Sequence, residues 1–193
     1  MKRDQRTAIL EAGARLINLQ GFHNTGLKDI LETAGVPRGS FYFYFKSKED
    51  FGLALIDHFM RVLGDRLRPL LEDESLSPLG RLRLLFERAR QRYQAEDYAG
   101  GCPIGNLTQE MSDLSPAMRE RLQQALAGMT ARWAALLRQA AEQGEIAPGI
   151  DPDLMAGFLL DAWEGALMRM KVERSAAPLE RFEHILFSGL LAR

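Results

Sequence analysis

Cysteine occurs once in the 193 residues, at Cys102, so no disulfide can form within the chain and a reducing cytoplasm is the expected setting. Histidine is nearly as scarce: His23, His58 and His184 lie far apart without metal-ligand spacing, so neither a metal nor a cofactor is expected. No glycine-rich phosphate loop and no nucleophile elbow occurs, which leaves a helical enzyme as a weak alternative. No stretch approaches the roughly 18 uncharged apolar residues that a membrane span needs. The start, Met1-Lys2-Arg3, leads into an amphipathic segment, so neither membrane insertion nor secretion is expected. Net charge is only −1, which argues against a chain that coats polyanions over its whole surface. Its distribution says more, because residues 1–50 hold eight Lys and Arg against six Asp and Glu, a net of +2 that leaves −3 for the rest. A mildly basic head on an acidic body is implied.

Apolar residues recur at helical spacing in almost every segment between breakers, with no fixed-period repeat, and predict an all-α chain. Ile9, Ala12, Gly13, Leu16 and Ile17 line one face of a first helix that Gly21 can end. Leu27, Ile30, Leu31 and Ala34 mark a short second helix, with Thr25 as N-cap and Gly35 as its stop. After Pro37, a third short helix spans Arg38 to Phe45, and Ser47-Lys48-Glu49-Asp50 caps a longer one ending near Pro69 or by Ser75–Pro78. Further helices are expected from Leu79 to Gln94, from Cys102-Pro103, from Ser115 to Gln143, from Asp151 to about Glu173, and from Pro178 nearly to the end.

Residues 25–51, TGLKDILETAGVPRGSFYFYFKSKEDF, resemble the signature of TetR-family regulators. The matching elements are Asp29-Ile30, Ala34-Gly35-Val36, Gly39 with Phe41-Tyr42, Tyr44-Phe45 and Ser47-Lys48-Glu49; Tyr44 stands where a histidine is common. The resemblance implies a three-helix, helix-turn-helix DNA-binding domain at 1–48 and a helical-bundle domain for effector sensing and dimerisation at 49–193. It also implies a homodimer on a pseudo-palindromic double-stranded operator. Small Gly39 and Ser40 allow close approach to a major groove, Arg38 suits a base edge, and Tyr42, Tyr44, Lys48, Lys28 and Thr25 suit phosphates. Phe41 and Phe45 should face the head's own core.

In the body, the segment GGCPIGNLTQE at 100–110 and the later WEGALMRMK at 163–171 resemble the NemR- and AcuR-type subgroup of that family, which includes electrophile, hypochlorite and acrylate sensors. A cysteine at a helix start faces unpaired N–H groups and the positive dipole end, which favour the thiolate. The resemblance pairs Cys102 with Lys171, whose neutral amine could capture an oxidised sulfur. The bland reading of Cys102 is a small buried hydrophobe, and that of Lys171 a solvated lysine near a helix C-terminus. Trp133, Trp163 and Tyr93 are candidates to line an effector cavity, and Arg169 or Lys171 to hold an acrylate-like acid. Leu154, Phe158, Ala162, Ala166, Phe182, Ile185, Leu186 and Gly189 are candidates for the dimer interface, with intramolecular core equally open for each.

Overall fold

A computed structural model describes residues 4–192, and these are helical throughout with no strand among them. Met1, Lys2 and Arg3, counted above with the basic head, lie outside the described residues. The helices are α1 (Gln5–Gln20), α2 (Leu27–Ala34), α3 (Phe41–Tyr44), α4 (Lys48–Leu71), α5 (Pro78–Ala95), α6 (Pro103–Met111), α7 (Pro116–Glu142), α8 (Pro152–Glu173) and α9 (Ala177–Ile185). Most starts obey local chemistry. Ser77, Cys102 and Asp151 cap α5, α6 and α8, each followed by proline in a first turn where a missing N–H breaks no helical bond. Ser47 accepts from the amide of Asp50, whose carboxylate accepts in return from the amide of Lys46, a reciprocal cap on α4. Gly35, at φ 67°, closes α2 in the left-handed region.

Three boundaries differ from expectation, the first being the helix expected over Arg38 to Phe45, which is a 3-10 turn at Arg38–Ser40 followed by α3 at Phe41–Tyr44. Gly26, not Thr25, is the N-cap of α2, because the Thr25 hydroxyl is wholly buried and donates to the carbonyl of Gly21 at 2.7 Å. The last helix does not run on from Pro178 as one regular element: α9 stops at Ile185 and a single π turn, Leu186–Leu190, follows.

The chain forms two compact units, each assembled from two stretches of sequence. One comprises the residues up to Leu63 together with Cys102–Ala125; the other comprises Gly64–Gly101 and the chain from Leu126 onward. In the first, Phe41, Phe45 and Phe51 pack with ring centroids 5.1 to 5.8 Å apart, all three nearly or fully buried. Gly13 lies so close beneath Phe51 that a Cβ there would come 2.4 Å from the ring. Ile104, Leu107 and Met111 of α6 and Met118 and Leu122 of α7 are buried as well. The second unit centres on Phe86, fully buried, with the rings of Trp163, Phe182 and Trp133 at 4.8, 4.9 and 5.2 Å. Among the described residues no helix is long and apolar enough to cross a membrane.

Candidate functional site

The head exposes a compact surface because the turn around α3 buries one side and leaves the other in solvent. A 3-10 turn at Arg38–Ser40 runs directly into α3. Phe41 and Phe45, one turn apart, face inward as expected, which turns Arg38, Gly39, Tyr42 and Phe43 outward. Arg38 and Lys28 are 71% and 63% exposed and lie 3.7 and 3.9 Å from the carboxylate of Glu32. Ser40 is half-buried, and the Tyr44 hydroxyl reaches Gln5 Oε1 at 3.4 Å. Tyr42 stands 69% exposed, edge-on to Phe41. The side chain of Thr25 does not reach this surface, so the phosphate contact expected of it is corrected: its hydroxyl is enclosed and bonded to Gly21.

Lys48 has a more internal role than its sequence position suggests. Its ammonium donates to the carbonyl of His23 at 3.3 Å and sits 4.9 Å from the centre of the Phe22 ring. Partial burial lowers its pKa, and the nearby Glu110 carboxylate works against that shift. Glu110, at the end of α6, accepts from the amides of Phe22 and His23, both at 2.7 Å, and meets His23 Nδ1 at 3.0 Å. Burial acts to raise the Glu110 pKa, but these hydrogen bonds outweigh it and hold the carboxyl below its ordinary value. Sequence reading assigned Glu110 no role, since its partners lie 87 and 88 positions away.

At the other end of α6, the partly exposed Cys102 caps the helix, its sulfur accepting from the amide of Gly105 at 3.4 Å. Cys102 thus belongs to the same compact unit as the reading surface. In the second unit, the loop leading up to it takes positive φ at Asp97, Tyr98, Gly100 and Gly101. Arg174 holds this loop by donating to the carbonyl of Asp97 at 2.9 Å. The Lys171 stem lies against Gly101, the chain neighbour of Cys102: a Cβ on that glycine would fall 3.1 Å from Lys171 Cδ.

The aromatic candidates are core groups here. Trp133 and Trp163 pack on Phe86, and Tyr93 is 4% exposed with the Arg92 guanidinium stacked 4.5 Å from its ring centre. Arg169 is 64% exposed and its guanidinium pairs with Glu173 on the helix surface. Two cationic groups that sequence reading passed over have buried nitrogens without a hydrogen-bond partner, Nε of Arg92 and Nη1 of Arg132.

The interface candidates divide. Phe182 and Leu186 belong to the core, whereas Leu154, Phe158 and Ile185 are 75%, 52% and 50% exposed and Gly189 is exposed too. Phe158 and Ile185 border a groove between α8 and α9 floored by Ala162, Gly165 and Ala166. These small residues would let another helix come close.

Known proteins match both parts of the chain. Residues 9–55 match the family of bacterial regulatory proteins described as the tetR family, and residues 78–186 match the tetracyclin repressor-like C-terminal domain. The chain is 38% identical over 175 residues to the transcriptional regulator AcuR of Cereibacter sphaeroides, covering 91% of this chain and 80% of that protein. It is 34% identical over 186 residues to the transcriptional repressor DhaR of Mycobacterium sp. (strain GP1), covering 96% and 92%. The crystal structure of reduced E. coli NemR matches with a TM-score of 0.88 at 30% identity, over 98% of this chain and 99% of that one. Members of this family bind DNA operators and small-molecule effectors and act as dimers. With a reading head and a helical body each matched over most of their length, the chain belongs to the TetR family, a transcriptional repressor of the AcuR, DhaR and NemR type and not an enzyme.

Proposed function

We propose that this repressor acts in the cytoplasm as a homodimer on a pseudo-palindromic operator and releases it when a small electrophile or oxidant reacts at Cys102. The observation that carries this reading is the setting of the thiol, which is partly exposed and caps α6 through its sulfur. Helix N-terminal amides stabilise a thiolate. With hypochlorous acid, the thiolate takes chlorine and releases hydroxide. A neutral Lys171 amine then displaces chloride from sulfur and loses a proton. The sum is one sulfur–nitrogen bond, one chloride, one water and two hydrogens fewer on the chain. Arg38 would read a base edge over Gly39 and Ser40, with Lys28, Tyr42, Tyr44 and Lys48 at phosphates. The α8–α9 groove would meet its own copy across a two-fold axis.

The test is a gel shift with hypochlorite on the full chain. The parent should release DNA, Cys102→Ser should stay bound, and Lys171→Ala should respond poorly. Mass spectrometry should find a cross-linked peptide pair two hydrogens lighter. Release that survives in Cys102→Ser would falsify the covalent reading.

A second reading keeps the head and makes the effector a reversible, acrylate-like acid. The buried, unpartnered guanidinium nitrogens of Arg92 and Arg132 favour it over the Arg169 site first expected. Acrylate would then release DNA equally from the parent and Cys102→Ser, but not from Arg132→Gln.

A further inference from the structure

We propose that the recognition turn reads a thymine through its C5 methyl, in an apolar notch formed by the Phe43 ring and the bare backbone of Gly39; this rests on the DNA-binding role stated above. Phe43 is 82% exposed, more than any other aromatic among the large exposed apolar residues, while Phe41 and Phe45 of the same turn are buried. The head's core therefore has its rings without Phe43, and the free chain bears the cost of hydrating this one. Its ring stands edge-on to Tyr44 at a centroid distance of 4.9 Å, which steadies it without covering it.

Gly39 lies four positions earlier, in the 3-10 turn that runs directly into α3, and both residues are exposed. Gly39 is not among the glycines with positive φ, and no atom lies within 4 Å of where its Cβ would sit. Neither backbone conformation nor the protein's own packing requires glycine there. The missing side chain leaves open space on the outward surface that also carries the exposed Phe43 ring. Exposed Lys28 and Arg38 belong to the same surface, a charge setting suited to a polyanion and not to an apolar protein partner. A phenyl ring offers phosphate no hydrogen bond, and the methyl group displayed on major-groove base edges is that of thymine.

The test starts from a duplex selected by the full chain from a random-sequence pool, with each half-site thymine then replaced by deoxyuridine, which lacks only the methyl. The parent should lose about fourfold in affinity at one thymine per half-site, the worth of burying one methyl-sized group. Phe43→Ala should bind the intact duplex about that much more weakly and be indifferent to deoxyuridine at that position. Gly39→Val, which fills the notch, should behave alike, with circular dichroism showing both variants folded. The proposal is overturned if Phe43→Ala keeps the parent's full sensitivity, if no thymine matters, or if selected half-sites contain none. It is equally overturned if Phe43→Ala changes self-association in sedimentation while deoxyuridine effects persist. Failure to enrich any duplex is a different result, since it sinks the DNA-binding role itself.

Discussion

Two of the places where the chain leaves large apolar side chains in water differ in what surrounds them. On the head, Tyr42 and Phe43 share a surface with the exposed cations Lys28 and Arg38. On α8 and α9, Leu154, Phe158 and Ile185 are exposed around a floor of Ala162, Gly165 and Ala166, with Arg169 and Arg181 as the cationic lining of the groove. The first surface suits a charged groove that presents occasional methyl groups; the second suits a helix pair like itself. A contiguous exposed apolar patch, unlike a lone residue such as Leu19 or Leu114, points to a partner, and the charge and size of its neighbours bear on that partner's chemistry.

The largest effect expected from breaking this contrast comes from charging the second surface. Phe158→Asp combined with Ile185→Asp should give a monomer in size-exclusion light scattering and cut operator affinity about a hundredfold or more, because one half-site holds weakly. A dimer that survives both changes would place the interface elsewhere. Next come two helical glycines with opposite settings. Gly13→Ala drives a methyl into Phe51 and should cost the head about 1–3 kcal/mol. Gly165→Ala meets no atom within 4 Å and should leave each chain as stable or better by up to about 1 kcal/mol, any loss falling on the dimer. Hydrogen exchange separates the two cases, and equal protection loss in both would contradict the packing described.

Arg38→Ala should reduce the preference for a selected duplex over a scrambled one by about tenfold, whereas Lys28→Ala should weaken both alike. Competition gel shifts at fixed salt distinguish these patterns. The smallest effect concerns pH. Burial chiefly, and Arg61 next, hold the His58 pKa below its ordinary 6.5; Arg6 adds a further lowering and Glu11 opposes it. The unfolded chain therefore takes up this proton first, so the stability from neutral His58 is full above pH 6.5 and declines as pH falls through the lowered folded value. Melting curves from pH 7.5 to 5.5 should show a decline of about 2 °C that His58→Leu flattens. An unchanged slope in that variant would remove His58 from the account.

Local chemistry made much of the fold legible. Cys102-Pro103 and Asp151-Pro152 announced α6 and α8 because cap and proline act within one turn. Thr25 misled for the complementary reason: a threonine before a helix reads as a cap, but tertiary enclosure sends its hydroxyl back to Gly21. The pairing of Arg169 with Glu173, by contrast, is local, since residues four apart share one helix face. Phe43 went unread since an aromatic in a helical stripe reads as core, and only the buried pair Phe41 and Phe45 shows that the core is already filled. Glu110 left no local trace at all. Its partners, the amides of Phe22 and His23, are ordinary backbone that any sequence supplies.

That carboxylate has a thermodynamic consequence. α6 is nine residues long, about 13 Å, with the sulfur of Cys102 on its first amides and Glu110 clasping the corner after α1. One short helix therefore has a thiol at one end and a hold on the reading head at the other. If occupancy at the thiol end shifts α6, linkage requires the operator to penalise that occupancy by the same factor by which the occupant weakens DNA. A reversible thiol ligand should bind the DNA-loaded protein more weakly than the free one, and Glu110→Ala should bring the two affinities together.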